Sequence, residues 1–226
     1  AREGTRFTSF YSPTVCGPSR SALLTGRQPI RSGGWGMPAS EVTWAELIGK
    51  AGYQTACIGK WDVSNRKAII PRMPNAQGFD YYFGDGTINF PPYCWIEGDR
   101  FVTIPTKPVI KSRPLAGGGG FRAGPMAESW NPYDILPTIT QKTVEWISKQ
   151  KKDQPFFAYL AFNSPHYPIV PNKPYHGKSK AGYYGDFVIE TDAMVGKVMN
   201  ALEKHGFADN TLVVFYADNG PETHAF

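Results

Sequence analysis

Four short strings in this chain hold residue types that do chemistry on anions. The first, Cys16-Gly-Pro-Ser-Arg-Ser-Ala-Leu-Leu-Thr-Gly-Arg27, sets a cysteine at the mouth of a helix. Pro18 suits the first helical turn, Ser19 to Leu24 can propagate it, and Gly26 can end it. A helix N-terminus presents unpaired N–H groups and partial positive charge, so it favours anions. Arg20 and Arg27 add forked donors that match sulfate or phosphate oxygens. The chemistry these types imply is a nucleophile in an oxyanion cradle. The second string, Gly52-Tyr-Gln-Thr-Ala-Cys-Ile-Gly-Lys-Trp-Asp62, reads as a strand that delivers Lys60, a point charge with three donors, to a sheet edge. The third runs from Phe156 to Pro168 and ends an apolar strand in Asn163-Ser-Pro-His166-Tyr-Pro. Strand ends in α/β sheets are where sites form, and the ordinary titration range of a histidine suits proton transfer. In the fourth, Thr211 to Gly220, an apolar run ends in Asp218 and Asn219, whose hard oxygens suit calcium or magnesium rather than a soft metal.

The first string closely resembles the opening signature of the type I sulfatases, Cys-x-Pro-Ser-Arg followed by Leu-x-x-Gly-Arg. The matching places are Cys16, Pro18, Ser19, Arg20, Leu24 (one residue off a strict match, with Leu23 also available) and Gly26-Arg27. The second string is similar to that family's Gly-Tyr-x-Thr-x-x-x-Gly-Lys-Trp-His, and the third and fourth to its Pro-His-x-Pro and Asp-Asn-Gly segments. The resemblance implies that Cys16 is oxidised after synthesis to formylglycine, an aldehyde, by a formylglycine-generating enzyme. It implies calcium, in preference to magnesium, held by Asp218 and Asn219 and touching the modified residue 16. In that scheme one hydroxyl of the hydrated aldehyde attacks sulfur, and His166 protonates the departing alcohol. The second hydroxyl is then deprotonated and sulfate leaves, a two-step gain of the kind covalent catalysis brings. Arg20 would orient the diol and the metal carboxylates, and Lys60 would stabilise charge on the transferring group.

Asp62 departs from the pattern, which has histidine there as the base of the second step. A carboxylate can serve as a base, but its unperturbed pKa is about 3.9 against about 6.5 for histidine. Either a subfamily uses an aspartate base or turnover is impaired; the intact remaining strings favour the subfamily. Two alternatives come from the same residues. One is a phosphonate or phosphate ester hydrolase on the same fold, since tetrahedral oxyanions look alike to Lys and Arg. The other is a non-catalytic relative that binds sulfated glycan.

The elements that must position these residues alternate strand and helix, which favours an α/β fold with a mostly parallel sheet. By resemblance this is an alkaline-phosphatase-like sandwich with flanking helices. Strands are expected at Phe7–Tyr11, Tyr53–Ile58, Phe156–Phe162 and Thr211–Ala217. Helices are expected after the Thr43–Glu46 capping box, over Asp134–Gln150 and over Gly182–His205. The Gly- and Pro-rich stretch from about 86 to 132, with Gly117 to Gly120, reads as a surface excursion around a site. Its Tyr93, Trp95 and Trp130 either stack on a sugar ring or pack locally. By resemblance, residues 1–226 are the central part of a sulfatase catalytic domain. The N-terminal strand with its metal-binding aspartates and the C-terminal subdomain are expected outside them, and Pro221 to Phe226 to continue onward.

The 226 residues can bury a sizeable α/β core. The net charge of +5 is modest and its Lys and Arg are scattered, which argues against nucleic acid and fits an anionic substrate. No apolar run reaches the roughly 18 residues that span a bilayer. Cys16, Cys57 and Cys94 make no disulfide framework; Cys57 and Cys94 are read as buried thiols in preference to a pair. His176, His205 and His224 match no motif and are read as surface or structural. Sulfated carbohydrate is preferred to an aryl sulfate as substrate, and a periplasmic, secreted or lysosomal location is expected from the resemblance.

Overall fold

The computed structural model describes residues 4–31, 36–63, 72–85, 90–109, 115, 117 and 120–221. His224 and the end of the chain lie outside the described residues, as do Gly118 and Gly119. The central sheet has the strand order β4-β3-β2-β1-β7, with β1 Gln54–Gly59, β2 Tyr81–Gly84, β3 Ile96–Glu97, β4 Arg100–Phe101 and β7 Phe156–Ala161. Both neighbours of β1 run parallel to it, with Cys57 opposite Tyr82 on one side and Tyr159 on the other. β3 and β4 add an antiparallel edge. Five of the six β1 residues are buried, as a strand covered on both faces must be. A separate antiparallel pair joins β5 Lys107–Val109 to β6 Gly124–Met126.

The helices follow their local signals. α1, Cys16–Thr25, ends where Gly26 turns left-handed at φ 66 and donates its N–H to Ala22 O. α2, Trp44–Lys50, opens on the expected reciprocal cap: Glu46 N donates to Thr43 Oγ1, and Thr43 N to the Glu46 carboxylate. Trp44 and Leu47 of α2 are exposed while Ala45 is buried, and Trp44 lies over Phe157 with ring centroids 4.7 Å apart. α3, Ile135–Ser148, buries Ile135, Leu136, Ile139 and Ile147, and the buried hydroxyls of Thr140 and Thr143 donate to the carbonyls four residues back. α4, Gly182–Lys204, packs against α3 and uses Glu190, fully buried, to accept from Asn172 N and Nδ2. Thr191 Oγ1 donates to Ser164 Oγ, so α4 also holds the start of the loop after β7.

Two expected strands do not form. Residues 7–11 and 211–217 have no ladder partner among the described residues. Phe7, Tyr11, Leu212, Val214 and Phe215 are more than two-thirds exposed. Apolar alternation makes a strand only where a neighbouring strand accepts its hydrogen bonds, and β7 is the outer strand on this side. The excursion also differs from expectation: it carries β3 to β6. Tyr93 and Trp130 are buried in a cluster with Phe121, and Trp95 stacks on Phe83. Tyr93 and Trp130 therefore serve packing rather than a sugar platform.

The parallel strand ends approach unusually closely. Gly59 sits at φ 112, where L side chains are strained, and an added Cβ would enter the Ala161 carbonyl; one on Gly84 would enter the Gly59 carbonyl. Gly59→Ala should therefore lose about 3 kcal/mol of stability, read as a drop in the denaturant midpoint at unchanged slope. A midpoint within error of the parent would show that the three strand ends can part freely.

Candidate active site

The pinched strand ends bring four polar residues to one edge of the sheet. Lys60 follows β1, Asp85 follows β2 and Asn163 stands two residues beyond β7, while Asp62 follows Lys60 across the buried Trp61. All four side chains are buried. Lys60 N donates to Ala161 O at 2.8 Å, which fixes where its side chain starts. Asp62 is the described non-glycine residue with positive φ, at 55°. That conformation favours Asp, Asn and His over other side chains. It turns the Asp62 carboxylate back toward two groups: Cys16 Sγ donates to Oδ2 at 2.8 Å, and Lys60 Nζ lies 3.3 Å from the same oxygen. The nucleophile candidate, base candidate and sulfate-binding candidate thus form one contact chain.

Arg20 joins this chain to the second arm of the site. Its Nε and Nη2 both contact Asp218 Oδ2 at 2.9 Å, and its Nη1 donates to Lys60 O at 2.9 Å and to Tyr159 Oη at 3.3 Å. Burial disfavours the charged guanidinium, yet Tyr159, Asp218 and Asp62 outweigh it and hold Arg20 above its ordinary pKa. Arg20 is therefore the bracket between helix α1, the β1 end and the segment carrying Asp218. Arg27 has a different role: its Nη1 contacts both Glu41 carboxylate oxygens at 3.0 Å, and its side chain is half exposed. It ties the loop before α2 and is not part of the cradle.

His166 lies in the turn after β7. Its N–H donates to Asn163 O at 3.0 Å, and its Nδ1 is 2.6 Å from Tyr167 O. A carbonyl partner at Nδ1 fixes the Nδ1–H tautomer, leaving the lone pair on Nε2. His176 contacts Pro171 O and Tyr183 and is structural.

The Cys16 thiol is free and part-buried against Asp62. Burial pushes its pKa up, Lys60 pulls it down and Asp62 raises it, with a net upward shift. A thiolate is thus disfavoured here. Cys57 and Cys94 are buried free thiols, and burial pushes Cys94 up to about 12. At about pH 8, alkylation of unmodified native protein should be confined to slow reaction at Cys16, with Cys57 and Cys94 reacting only on denaturation. Rapid labelling of all three thiols would contradict this packing.

For a hard cation, Asp218 and Asn219 supply suitable oxygens. Asn219 Oδ1 is buried and has no hydrogen-bond partner among the described residues. Calcium takes six to eight oxygens, and no cluster of three or more acidic, His or Cys ligands occurs among the described residues. The pair fits as part of a ligand set, with Asp218 oriented by Arg20.

Sequence reasoning passed over Asp85, Tyr82, Tyr159 and Asn163. Asp85 was readable as the first polar residue after an apolar run, at a strand end. Tyr82 and Tyr159 look like core residues and reveal their roles only through β1, which they flank. Among the described residues, no helix is long and apolar enough to cross a membrane.

The family model described as Sulfatase matches residues 1–225. Human N-acetylgalactosamine-6-sulfatase is 35% identical over 238 residues, covering 97% of this chain and 44% of that protein. Human arylsulfatase A is 34% identical over 251 residues, covering 99% and 46%. Among solved structures, one described under metabolism of multiple glycosaminoglycans by Bacteroides thetaiotaomicron superposes with a TM-score of 0.79 at 26% identity, over 93% of this chain and 54% of that one. The chain spans a little under half the length of these two curated relatives.

Proposed function

Because this chain belongs to the sulfatase family, with its alkaline-phosphatase-like α/β fold, we propose that the protein containing it hydrolyses sulfate monoesters, with residue 16 as formylglycine. The observation that carries the reading is the contact chain Cys16–Asp62–Lys60, buried at one sheet edge beside the Arg20–Asp218 bracket. A raised thiol pKa makes Cys16 a poor thiolate nucleophile, which favours a cysteine that is a precursor. Formylglycine supplies a hydrated aldehyde, whose one hydroxyl attacks sulfur and whose other allows sulfate to be expelled. Calcium, held in part by Asp218 and Asn219, supplies Lewis-acid polarisation of the anion.

The chain's own residues divide the remaining work. Lys60 binds a sulfate oxygen, because its charge is buried and already aimed at the nucleophile by Asp62. Asp62 accepts the proton from the hydroxyl at residue 16 along the line the Cys16 thiol now occupies. His166, as the imidazolium with its Nδ1–H held by Tyr167 O, gives its Nε2 proton to the leaving alkoxide. Arg20 keeps Asp218 and the Lys60 backbone in register. The substrate is a sulfated carbohydrate; support comes from the relative named for N-acetylgalactosamine 6-sulfate and the neighbour described under glycosaminoglycan metabolism. Maturation requires a formylglycine-generating enzyme, and the protein works in an exported or lysosomal compartment.

The test is the mass of the peptide around Cys16 in full-length protein coexpressed with that enzyme. Conversion replaces sulfur and two hydrogens by one oxygen. A shifted peptide, with turnover of a sulfated sugar faster than of the matching phosphate or phosphonate, supports the reading. An unshifted thiol beside a converted control sulfatase sinks it and leaves a sulfate-binding protein.

A further inference from the structure

Asp85 and Asn163 each leave one buried oxygen unexplained. Asn163 Nδ2 donates to Asp85 Oδ2 at 2.7 Å, yet Asp85 Oδ1 and Asn163 Oδ1 have no hydrogen-bond partner among the described residues. Both side chains are 4% exposed, and Asp85 forms no ion pair there; the nearby lysine is paired with Asp62. An ionised carboxylate only accepts, so it cannot satisfy a second acceptor. A single proton resolves both orphans: Asp85 Oδ1–H donates to Asn163 Oδ1 while Asn163 Nδ2–H donates to Asp85 Oδ2. We propose that Asp85 is carried as the neutral acid in a cyclic acid–amide pair with Asn163, and that this pair is the positioning device behind Lys60.

The charges around Asp85 bear on the same pair. Two buried cations, Lys60 and Arg20, face Asp62, Asp85 and Asp218. With all three ionised, these side chains alone carry one more negative than positive charge, before calcium or the singly charged sulfate ester is counted. With Asp85 neutral, the two cations balance two carboxylates, and Lys60 is committed to Asp62 and the anion. Burial raises the Asp85 pKa; the Asn163 hydrogen bond, Lys60, its own backbone and Arg20 lower it; the net direction is upward. Tyr82 and Cys94, which also feel Asp85, are themselves held neutral by burial. Tyr82 Oη donates to Asp85 O, fixing the backbone. The pair bridges the β2 end to the turn after β7, with the β1 end between them, so it clamps the lysine-bearing strand end and the His166 turn together.

The protonation state is independent of the reaction; its effect on turnover rests on the sulfate-ester reading. Full-length protein carrying carbon-13-labelled aspartate should show a neutral-carboxyl stretch in the infrared at neutral pH. Asp85→Asn, which can form an amide–amide pair of the same shape, should remove that band. Asp85→Ala should lower kcat/KM by about 30-fold, and Asp85→Asn should restore it to within about threefold of the parent, a difference of roughly one tenfold step. A missing band in the folded parent overturns the proposal, whatever the activity. So does an Asp85→Asn protein as slow as Asp85→Ala at an unchanged melting temperature. Should the variants fail to fold, the labelled parent decides: a band that persists through neutral pH supports the pair, and a wholly ionised aspartate spectrum refutes it. A parent with the band but no sulfatase turnover would sink the sulfate-ester reading alone.

Discussion

Asp62→Asn should lower kcat by about 10²- to 10⁴-fold, the range expected for loss of a positioned general base, with KM little changed. The fold should survive, because asparagine tolerates the left-handed backbone that residue 62 adopts at φ 55. Asparagine also keeps an oxygen for residue 16 and for Lys60, so binding is retained and proton acceptance is not. Asp62→His should keep substantial turnover for two separate reasons. Histidine is also enriched in that backbone region, and its ordinary pKa is nearer neutrality than that of a carboxylate. The informative comparison is therefore the triplet of Asp, Asn and His at one backbone geometry, read by single-turnover and steady-state kinetics on the same sulfate ester. Full activity in Asp62→Asn would remove Asp62 from the chemistry and reduce it to a partner that neutralises Lys60.

The sequence was most legible where chemistry depends on local spacing. Gly26 as a helix stop, the Thr43–Glu46 cap and the strand leading to Lys60 are all set by neighbours within a few residues, and all form as expected. The convergence of Cys16, Lys60 and Asp62 was carried by family strings rather than by periodicity, and the contacts at 2.8 and 3.3 Å give those strings a geometric reason. Legibility failed where the outcome depended on distant partners. Leu212, Val214 and Phe215 have the composition of a buried strand, but among the described residues no neighbour supplies the ladder. Tyr93 and Trp130 have the composition of a sugar platform, yet Phe121 closes over them. Arg27 and Arg20 are equivalent cations in the sequence, seven positions apart. Glu41 captures one and Asp218 the other, and neither pairing is marked locally. Asp85 was hidden for the same reason: its meaning comes from an amide 78 positions away.

Arg20→Lys should be nearly as damaging as Arg20→Ala, although charge is conserved. The guanidinium divides its donors among Asp218 Oδ2, Lys60 O and Tyr159 Oη, three directions that a compact ammonium on a flexible stem cannot hold at once. Lysine would keep one of these partners and leave the others in a buried setting. The expected loss is about 2 kcal/mol of stability, below the 3–5 kcal/mol for a fully buried pair because Asp218 is partly exposed. On the proposed calcium site, the larger effect should appear in metal affinity. An Asp218 no longer bracketed by Arg20 presents its remaining oxygen in many orientations, and loss of such an outer partner weakens metal binding by about 10- to 100-fold. Calcium titration of the full-length protein, followed by heat and by the calcium dependence of its melting temperature, separates the two effects. Unchanged calcium affinity with reduced stability would confine Arg20 to joining α1 to the β1 end. Weakened affinity that excess calcium rescues in turnover would establish that Arg20 acts through the orientation of Asp218. That outcome would also explain why a residue so deeply buried carries a charge at all: an apolar side chain of similar volume could fill the space, but it could not aim a carboxylate.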